Sequence, residues 1–571
     1  MRRDPASIND VAGKEGDDTS RSATTGARTS SVARSAGIVS LAVMASRVLG
    51  LLRDTVFAFF FGASNTFAND AFLMAFRIPN LLRDLFAEGA LSSAFVTVFS
   101  DYLVKKDERE AFRLSNLIVN ALILILGVLV VLGVIFAPQV VSIFASGFKS
   151  DPQKFELTVR LTRIMMPFIL LVALAAQAMG VLNARGRFAV PALSSSFFNV
   201  GSIVGGIFFA ALLTDPADPI NAIRDNPTEG IVGMAYGVLI GGLMQYAVQW
   251  PSLRRAGFRY RPSVSLSDPG VRRIFGLMGP AIIGGAAVQV NVLVNSNFAA
   301  SIPYDGPVSW LGYAFRLMQF PIGVFGVAIA TATLPAISRI AATNQLGEFQ
   351  KTIASSMRLA FVLTIPSAVG LIVLGRPIVA LIYERGKFSS VDTEHAAGAL
   401  ACYAIGLAGY SAIKILAPAF YALNDARTPM AISLSMIVVN FGMNWLLVRV
   451  LQERGLALST SAVALLNFAL LYLLMRRRLG GIEGSKTAVA VGKILLASAA
   501  MAVVCWGVNS RLGQSLGSSF PGRLTLVGIS VGAGVVAYYT AASLLGVPEL
   551  KMAADAILLR LNKLRNRSPN R

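Results

Sequence analysis

Between residues 41 and 103 the chain sets Arg47, Arg53, Asp54, Asp70, Arg77, Arg83, Asp84 and Glu88 into a stretch apolar enough for two membrane spans. A charged side chain at the centre of a spanning helix costs about 2.5–3.5 kcal/mol on insertion scales, so several together require a wet or mutually paired interior. Their types narrow the chemistry. Arginine keeps its proton, and its planar fork matches the oxygens of a phosphate. Arg316 adds a cation in a later apolar run. A bundle that gathers these guanidiniums in one cleft predicts an anionic cargo, with phosphate or pyrophosphate the natural candidate. Asp54, Asp70 and Asp84 admit two readings: they line the cleft, or they pair with cations and lock helices together. Lys414, alone in Ile-Lys-Ile-Leu-Ala-Pro, is either a substrate or coupling group or a snorkelling side chain.

Other chemistries are poorly provided for. The 571 residues include one histidine, His395, and two isolated cysteines, Cys402 and Cys505. That leaves no His-rich metal site, no disulfide framework and no Ser-His-Asp arrangement. No GxxxxGK[ST], HExxH or GxSxG motif occurs, so the reading is not an enzyme and not an ATP-driven pump. An ion gradient, the membrane potential or the substrate gradient must supply the energy, and no cofactor is expected.

The elements that must position the charges are spanning helices. The chain is 55% hydrophobic and 14% charged, with mean hydropathy +0.64, values of a polytopic membrane protein. The formal charge of +21 belongs to short loops, where it sets orientation by the positive-inside rule; no nucleic-acid partner is expected. Residues 1–36 read as a disordered cytoplasmic tail without the apolar core of a signal peptide. Fourteen spans are expected from about 38 to 546, with both termini cytoplasmic. Residues 547–571 form a basic tail that anchors topology or lies on anionic lipid.

An internal repeat is visible. Ala75-Phe76-Arg77 recurs as Ala314-Phe315-Arg316, each with a following proline, Pro79 and Pro321. Gly147-Phe148-Lys149-Ser150 recurs as Gly386-Lys387-Phe388-Ser389, and Leu182-Asn183-Ala184-Arg185 recurs near Leu423-Asn424-Asp425-Ala426-Arg427. One shared period of six helices gives two halves of equal orientation, a plan used by carriers that rock two lobes about a central site. The expected architecture is therefore all-α: a first lobe over 37–250, a second over 271–478, two extra helices over 487–546, and a central cavity. Pro79 predicts a kink in the second span. Asn295, Asn297, Gln289 and Gln319 read as interhelical glue, and the Gly205-Gly206 and Gly284-Gly285 pairs as close-packing points.

The segments SRVLGLLRD, DAFLMAFRIPNLLRDLFAEGALSSAFV, RLMQFPIGVFGVAIATATLPAIS and KILAPAFYALNDARTP resemble the MurJ (MviN) lipid II flippases of the multidrug/oligosaccharidyl-lipid/polysaccharide exporter superfamily. The resemblance runs over about residues 36 to 546. It implies two six-helix lobes in a V around a cationic cavity, and a groove on the two extra helices for a lipid tail. The implied activity moves lipid II, the undecaprenyl-pyrophosphate-linked cell-wall precursor, from the inner to the outer leaflet of the bacterial cytoplasmic membrane by alternating access. Carried over by motif, the substrate-binding residues are Arg47, Arg53 and Arg316, with Asp70, Arg83 and Glu88 beside them; Pro79, Lys414 and Asp54 are candidates for gating or coupling. Gln319 stands where members often carry glutamate. Lipid II and membrane lipids are the implied partners, with cell-wall synthesis or division proteins as candidates for the tails. Three alternatives stay open: a flippase for another polyprenyl-pyrophosphate glycan, a drug/cation antiporter, which the arginines argue against, and a membrane scaffold that transports nothing.

Overall fold

The structure, a computed structural model, describes residues 39, 41–343 and 345–550, with the side chains of residues 87–90, 281, 283, 284 and 287 outside that set. The expected tail 1–36 and residues 551–571 of the basic tail also lie outside the described residues.

Among the described residues every long element is a helix. In the first half α1 (41–61) is followed by α2 (Ala68–Arg83), which passes through a π-helical segment, Asp84–Leu91, into α3 (Ser92–Lys105). Then come α4 (Glu108–Ile135), α5 (Ala137–Phe144), α6 (Pro152–Met165), α7 (Phe168–Ala184), α8 (Ala189–Leu213), α9 (Pro219–Asp225), α10 (Pro227–Ala247) and α11 (Trp250–Arg255). The second half holds α12 (Pro269–Ala300), α13 (Pro307–Pro321), a second π segment at Ile322–Gly326, α14 (Val327–Ala342), α15 (Leu346–Tyr383), α16 (Ser390–Ile405), α17 (Leu407–Ala422) and α18 (Arg427–Leu479). Two further helices, α19 (Gly484–Leu512) and α20 (Phe520–Leu544), pack on each other and on α15.

The starts are encoded locally. Asp107 accepts the Glu110 amide ahead of α4. Asp151 caps α6, whose first residue is Pro152, and Ser389 with Asp392 forms a capping box on α16. Each satisfies amides that a helix start leaves without partners.

Among the described residues nine helical runs are long and apolar enough to cross a membrane, or ten if α16 and α17, bent by 41°, are one span. This is the architecture of an all-α polytopic membrane protein, with a lower count than the fourteen spans expected. Two features account for the difference. The 53 residues of α18 would measure ~80 Å if straight, against a hydrocarbon core of about 30 Å. They fold back at Gln452, whose backbone (φ 53°, ψ −128°) is not helical, so one run holds two helices. Polarity accounts for others: Arg47, Arg53 and Asp54 lie in α1, Asp70 and Arg77 in α2, and Gln289, Asn291, Asn295 and Asn297 in α12.

The repeat is present in the backbone. Each half has a π segment shortly after its repeated proline, and the break at Met166-Pro167 before α7 matches the bend at Gly406 before α17. Packing repeats too: α2 lies on α6 as α13 lies on α16, and α3 on α7 as α14 on α17. The helix does not break at Pro79, which stays inside α2; the hydrogen-bond register widens over Asp84–Leu91 instead, a change found often at functional sites. One apolar core belongs to the first half and the start of α12, through Val271, Ile274 and Met278, another joins the second half to α19 and α20, and a third bridges the halves through residues such as Phe148, Trp310, Tyr383 and Phe388.

Candidate functional site: a cationic cavity between two halves

Two adjoining cavities lie where the halves meet. The first, of 600 Å³, is lined by Arg53, Asp54, Arg77, Asn80, Asp84, Gln289, Asn291, Asn295, Arg316, Tyr403 and Tyr410 among others. The second, of 640 Å³, is lined by Arg47, Arg53, Arg83, Asn199, Arg316 and Gln319 with apolar neighbours. Arg53, Phe76, Asn80, Arg316 and Gln319 border both.

Asp54, on the first cavity, joins two of these residues. One carboxylate oxygen accepts from Arg53 Nη2 at 3.2 Å, and the other accepts from Arg316 Nε at 2.7 Å. Arg53 comes from α1 and Arg316 from α13, so one carboxylate ties guanidiniums of opposite halves. The shared acid holds two like charges near each other, and both terminal nitrogens of Arg316 keep their donors for another acceptor. Arg53 also lies against the Phe198 ring, 5.6 Å from its centre. Arg83 pairs with Asp84 at 2.8 Å. Arg47 packs so tightly on Gly323 that a Cβ there would fall 1.8 Å from its Nη1; a bare backbone at Gly323 is what admits the guanidinium.

Arg47, Arg53, Arg83, Asp54 and Arg316 are therefore brought together. The side chain of Glu88 lies outside the described residues. Lys414 lines neither cavity; it is exposed on α17, one turn beyond Tyr410 on the same face.

Asp70 is elsewhere. It is fully buried and accepts four hydrogen bonds: from the amides of Gly306 and Ser309 at 3.0 and 2.9 Å, from Ser309 Oγ at 2.6 Å and from Lys154 Nζ at 3.1 Å. Asp70 borders no cavity, whereas Arg77 and Asp84 of the same span line the first one. Lys154 also reaches Asp305 at 2.8 Å. Across the same end, Asp392 accepts from Ser64 N and Oγ and from Trp310 Nε1 at 3.0, 2.6 and 2.9 Å. Trp310 stacks on His395, whose Nδ1 lies 2.8 Å from Glu453. These contacts join the halves where the loops 62–67, 145–151, 301–306 and 384–389 meet. The repeated glycines sit in that seam. A Cβ on Gly147 would fall 2.2 Å from the Ala300 carbonyl oxygen, and one on Gly386 2.1 Å from that of Phe59.

The seam was missed in the sequence because its pairs are separated by up to 328 residues; the glycine repeat was its one visible sign. Of the amides, Asn295 and Asn297 do act as glue. Asn295 accepts from Asn440 and Asn444, and Asn297 bonds Ser146 and the Ile143 carbonyl. Gln289 and Gln319 face the cavities.

Comparison with known proteins decides the family. The family described as "Lipid II flippase MurJ" matches residues 57–525. The chain belongs to the MurJ family. A "Lipid II flippase MurJ" of Burkholderia cenocepacia is 38% identical over 437 residues, 76% of this chain and 81% of that protein. A "Probable lipid II flippase MurJ" of Vibrio cholerae is 36% identical over 530 residues, 91% of this chain and 97% of its own length. The solved structure titled "Lipid II flippase MurJ, inward closed conformation" superposes with a TM-score of 0.71 at 26% identity, covering 89% of this chain and 98% of that one. An inward-facing multidrug resistance MATE family transporter, 16% identical with a TM-score of 0.61 over 77% of this chain and 96% of its own, shares the fold. The MurJ match takes in Arg77, Arg83 and Arg316, while Arg47 and Arg53 stand just ahead of it. As a MurJ-family member the chain is a polytopic inner-membrane transporter, not an enzyme.

Proposed function

We infer that this chain carries lipid II across the bacterial inner membrane by alternating access, with Arg47, Arg53 and Arg316 holding the pyrophosphate. MurJ membership supplies the cargo. The observation that supports the binding site is the Arg53–Asp54–Arg316 bridge at the border of both cavities. Phosphate oxygens accept bidentate hydrogen bonds from guanidinium more strongly than a single shared carboxylate. Cargo entry thus exchanges an internal pairing for a stronger external one, and draws the two halves onto the same anion. The glycopeptide occupies the polar cavity and the prenyl chain stays in lipid.

Fourteen spans fit the reading when α18 counts as two and the polar helices α1, α2–α3 and α12 are included. The first lobe then covers 37–250 and the second 271–478, and 487–546 supplies a groove for the prenyl tail. The basic loops put both termini in the cytoplasm, so the seam around Asp70 and Asp392 closes the periplasmic end. Release outward requires that seam to part while the cytoplasmic end closes. The π segments after Pro79 and Pro321, with Gly323, give the helices that frame the cavities a place to bend. Charge neutralisation by the cargo permits closure, and a coupling ion or the membrane potential resets the empty carrier. Cell-wall synthesis or division proteins are partners to be sought on the tails.

The test is outer-leaflet lipid II exposure in cells depleted of their own flippase and supplied with this chain or its Arg316→Gln variant at matched membrane levels. The wild type restores exposure and the variant does not. Restoration by both removes Arg316 from the binding site. Restoration by neither overturns the cargo, and other polyprenyl-pyrophosphate glycans are then assayed.

A further inference from the structure

We propose that Arg77 is a second anion site of the carrier, binding a carboxylate of the glycopeptide headgroup while the other arginines hold the pyrophosphate. This rests on the lipid II reading above.

The argument begins with the repeat. Arg77 and Arg316 occupy the same place in Ala-Phe-Arg of the two halves, yet their surroundings differ. Arg316 is paired with Asp54. The hydrogen bond Arg77 makes goes to a neutral group: its Nη1 donates to Ser296 Oγ at 2.6 Å. Ser296 is buried and donates its own proton to the Val292 carbonyl at 2.6 Å, so its lone pairs are committed to the guanidinium. Among the described residues no carboxylate pairs with Arg77. A guanidinium has five N–H donors, and a half-buried cation with no counter-charge beside it is costly unless water or an anion reaches it. A strut between α2 and α12 would need only a neutral donor, so the charge calls for another explanation.

Position supplies it. Arg77 lines the first cavity alone, and Arg47 and Arg83 line the second alone, with Arg53 and Arg316 on the wall between. The first cavity is also lined by Asn80, Gln289 and Asn291, with Asp54 and Asp84 on the same lining; its amides can hydrogen-bond sugar hydroxyls and peptide amides. A pyrophosphate by itself occupies only the arginine-rich compartment. A cargo with a second negative charge, set away from the pyrophosphate on an amide-rich arm, reaches both. The cavity therefore selects carboxylate-bearing headgroups over neutral glycans on the same lipid carrier.

The experiment measures binding of three ligands to the purified full chain in nanodiscs: lipid II, lipid II with its peptide carboxylates amidated, and undecaprenyl pyrophosphate. The wild type is expected to prefer lipid II over the amidated form by about tenfold, the weight of one charge-assisted contact. R77Q loses that preference and binds undecaprenyl pyrophosphate as the wild type does. S296A, which removes the strut and keeps the cation, retains the preference. R316Q weakens all three ligands. The proposal is overturned if R77Q still discriminates against the amidated form, if it loses undecaprenyl pyrophosphate as much as lipid II, or if the wild type binds both forms of lipid II equally. Tight lipid II binding without carboxylate preference removes the Arg77 site alone; failure of the wild type to bind lipid II removes the cargo assignment and the Arg77 site with it.

Discussion

Asp54 and Asp70 are carboxylates on consecutive helices of one chain, and they do opposite things. Asp70 accepts four hydrogen bonds and is sealed from solvent. Nothing is left over for a ligand, and every partner belongs to another segment. Asp54 accepts from two arginines whose remaining donors face open cavity. The same residue type makes a lock where its hydrogen bonds are complete and a replaceable counter-ion where its partners have bonds to spare. Satisfaction, more than charge or burial, separates the seam from the site.

That contrast fails if the two sets of substitutions behave alike. The largest effect is expected at the site: Arg53→Gln or Arg316→Gln should lower lipid II exposure by roughly tenfold to a hundredfold, the range for lost hydrogen bonds to a charged group, with little change in thermal unfolding of the purified protein. Asp70→Ala should do the reverse. Removing one partner of a buried ion pair costs about 3–5 kcal/mol, read as a lowered melting temperature and as faster labelling of a cysteine placed at Ser64. A transport loss without destabilisation would move Asp70 from the seam to the site. Gly386→Ala comes next. It combines a left-handed backbone (φ +65°) with a Cβ only 2.1 Å from the Phe59 carbonyl oxygen. Gly480→Ala, at φ +72° with open space around it, isolates the backbone cost of about 1–2 kcal/mol; the excess at Gly386 measures the seam contact. Smallest of all, Lys414→Gln should leave lipid II exposure within about twofold, as surface substitutions generally do. A larger drop would place the lysine on the cargo's path.

Much of this was legible beforehand because it is written in local pattern. Apolar runs gave the helices, and the repeat period read from short motifs recurs in paired π segments and bends that were not themselves foreseen. Arginines inside apolar runs gave the cavity, since a cation there has few other uses. What was not legible depends on distant partners. Asp70 and Arg53 carry charge in similar apolar settings, and only the approach of Gly306, Ser309 and Lys154 makes one of them inert. Lys154, Trp310 and Asp392 drew no notice because each looks ordinary in its own segment. Pro79 suggested a kink, but a wider register five residues later takes its place. The turn at Gln452 separates two of the expected spans, with Gly455 packed on the Leu447 backbone three residues on, so the fold-back inside α18 was legible as well.

The bond between Asp70 and Ser309 links positions one repeat apart, 239 residues. Each residue is thus touching its own counterpart in the repeat. In a homodimer of identical halves such a position meets itself: two aspartates would repel each other, and two serines would leave the Lys154 ammonium without its second carboxylate. Covalent fusion lifts that constraint. Only in a chain where the copies are free to diverge can such a contact become an acceptor facing its donor, so this closure belongs to the fused chain and not to the architecture it duplicates.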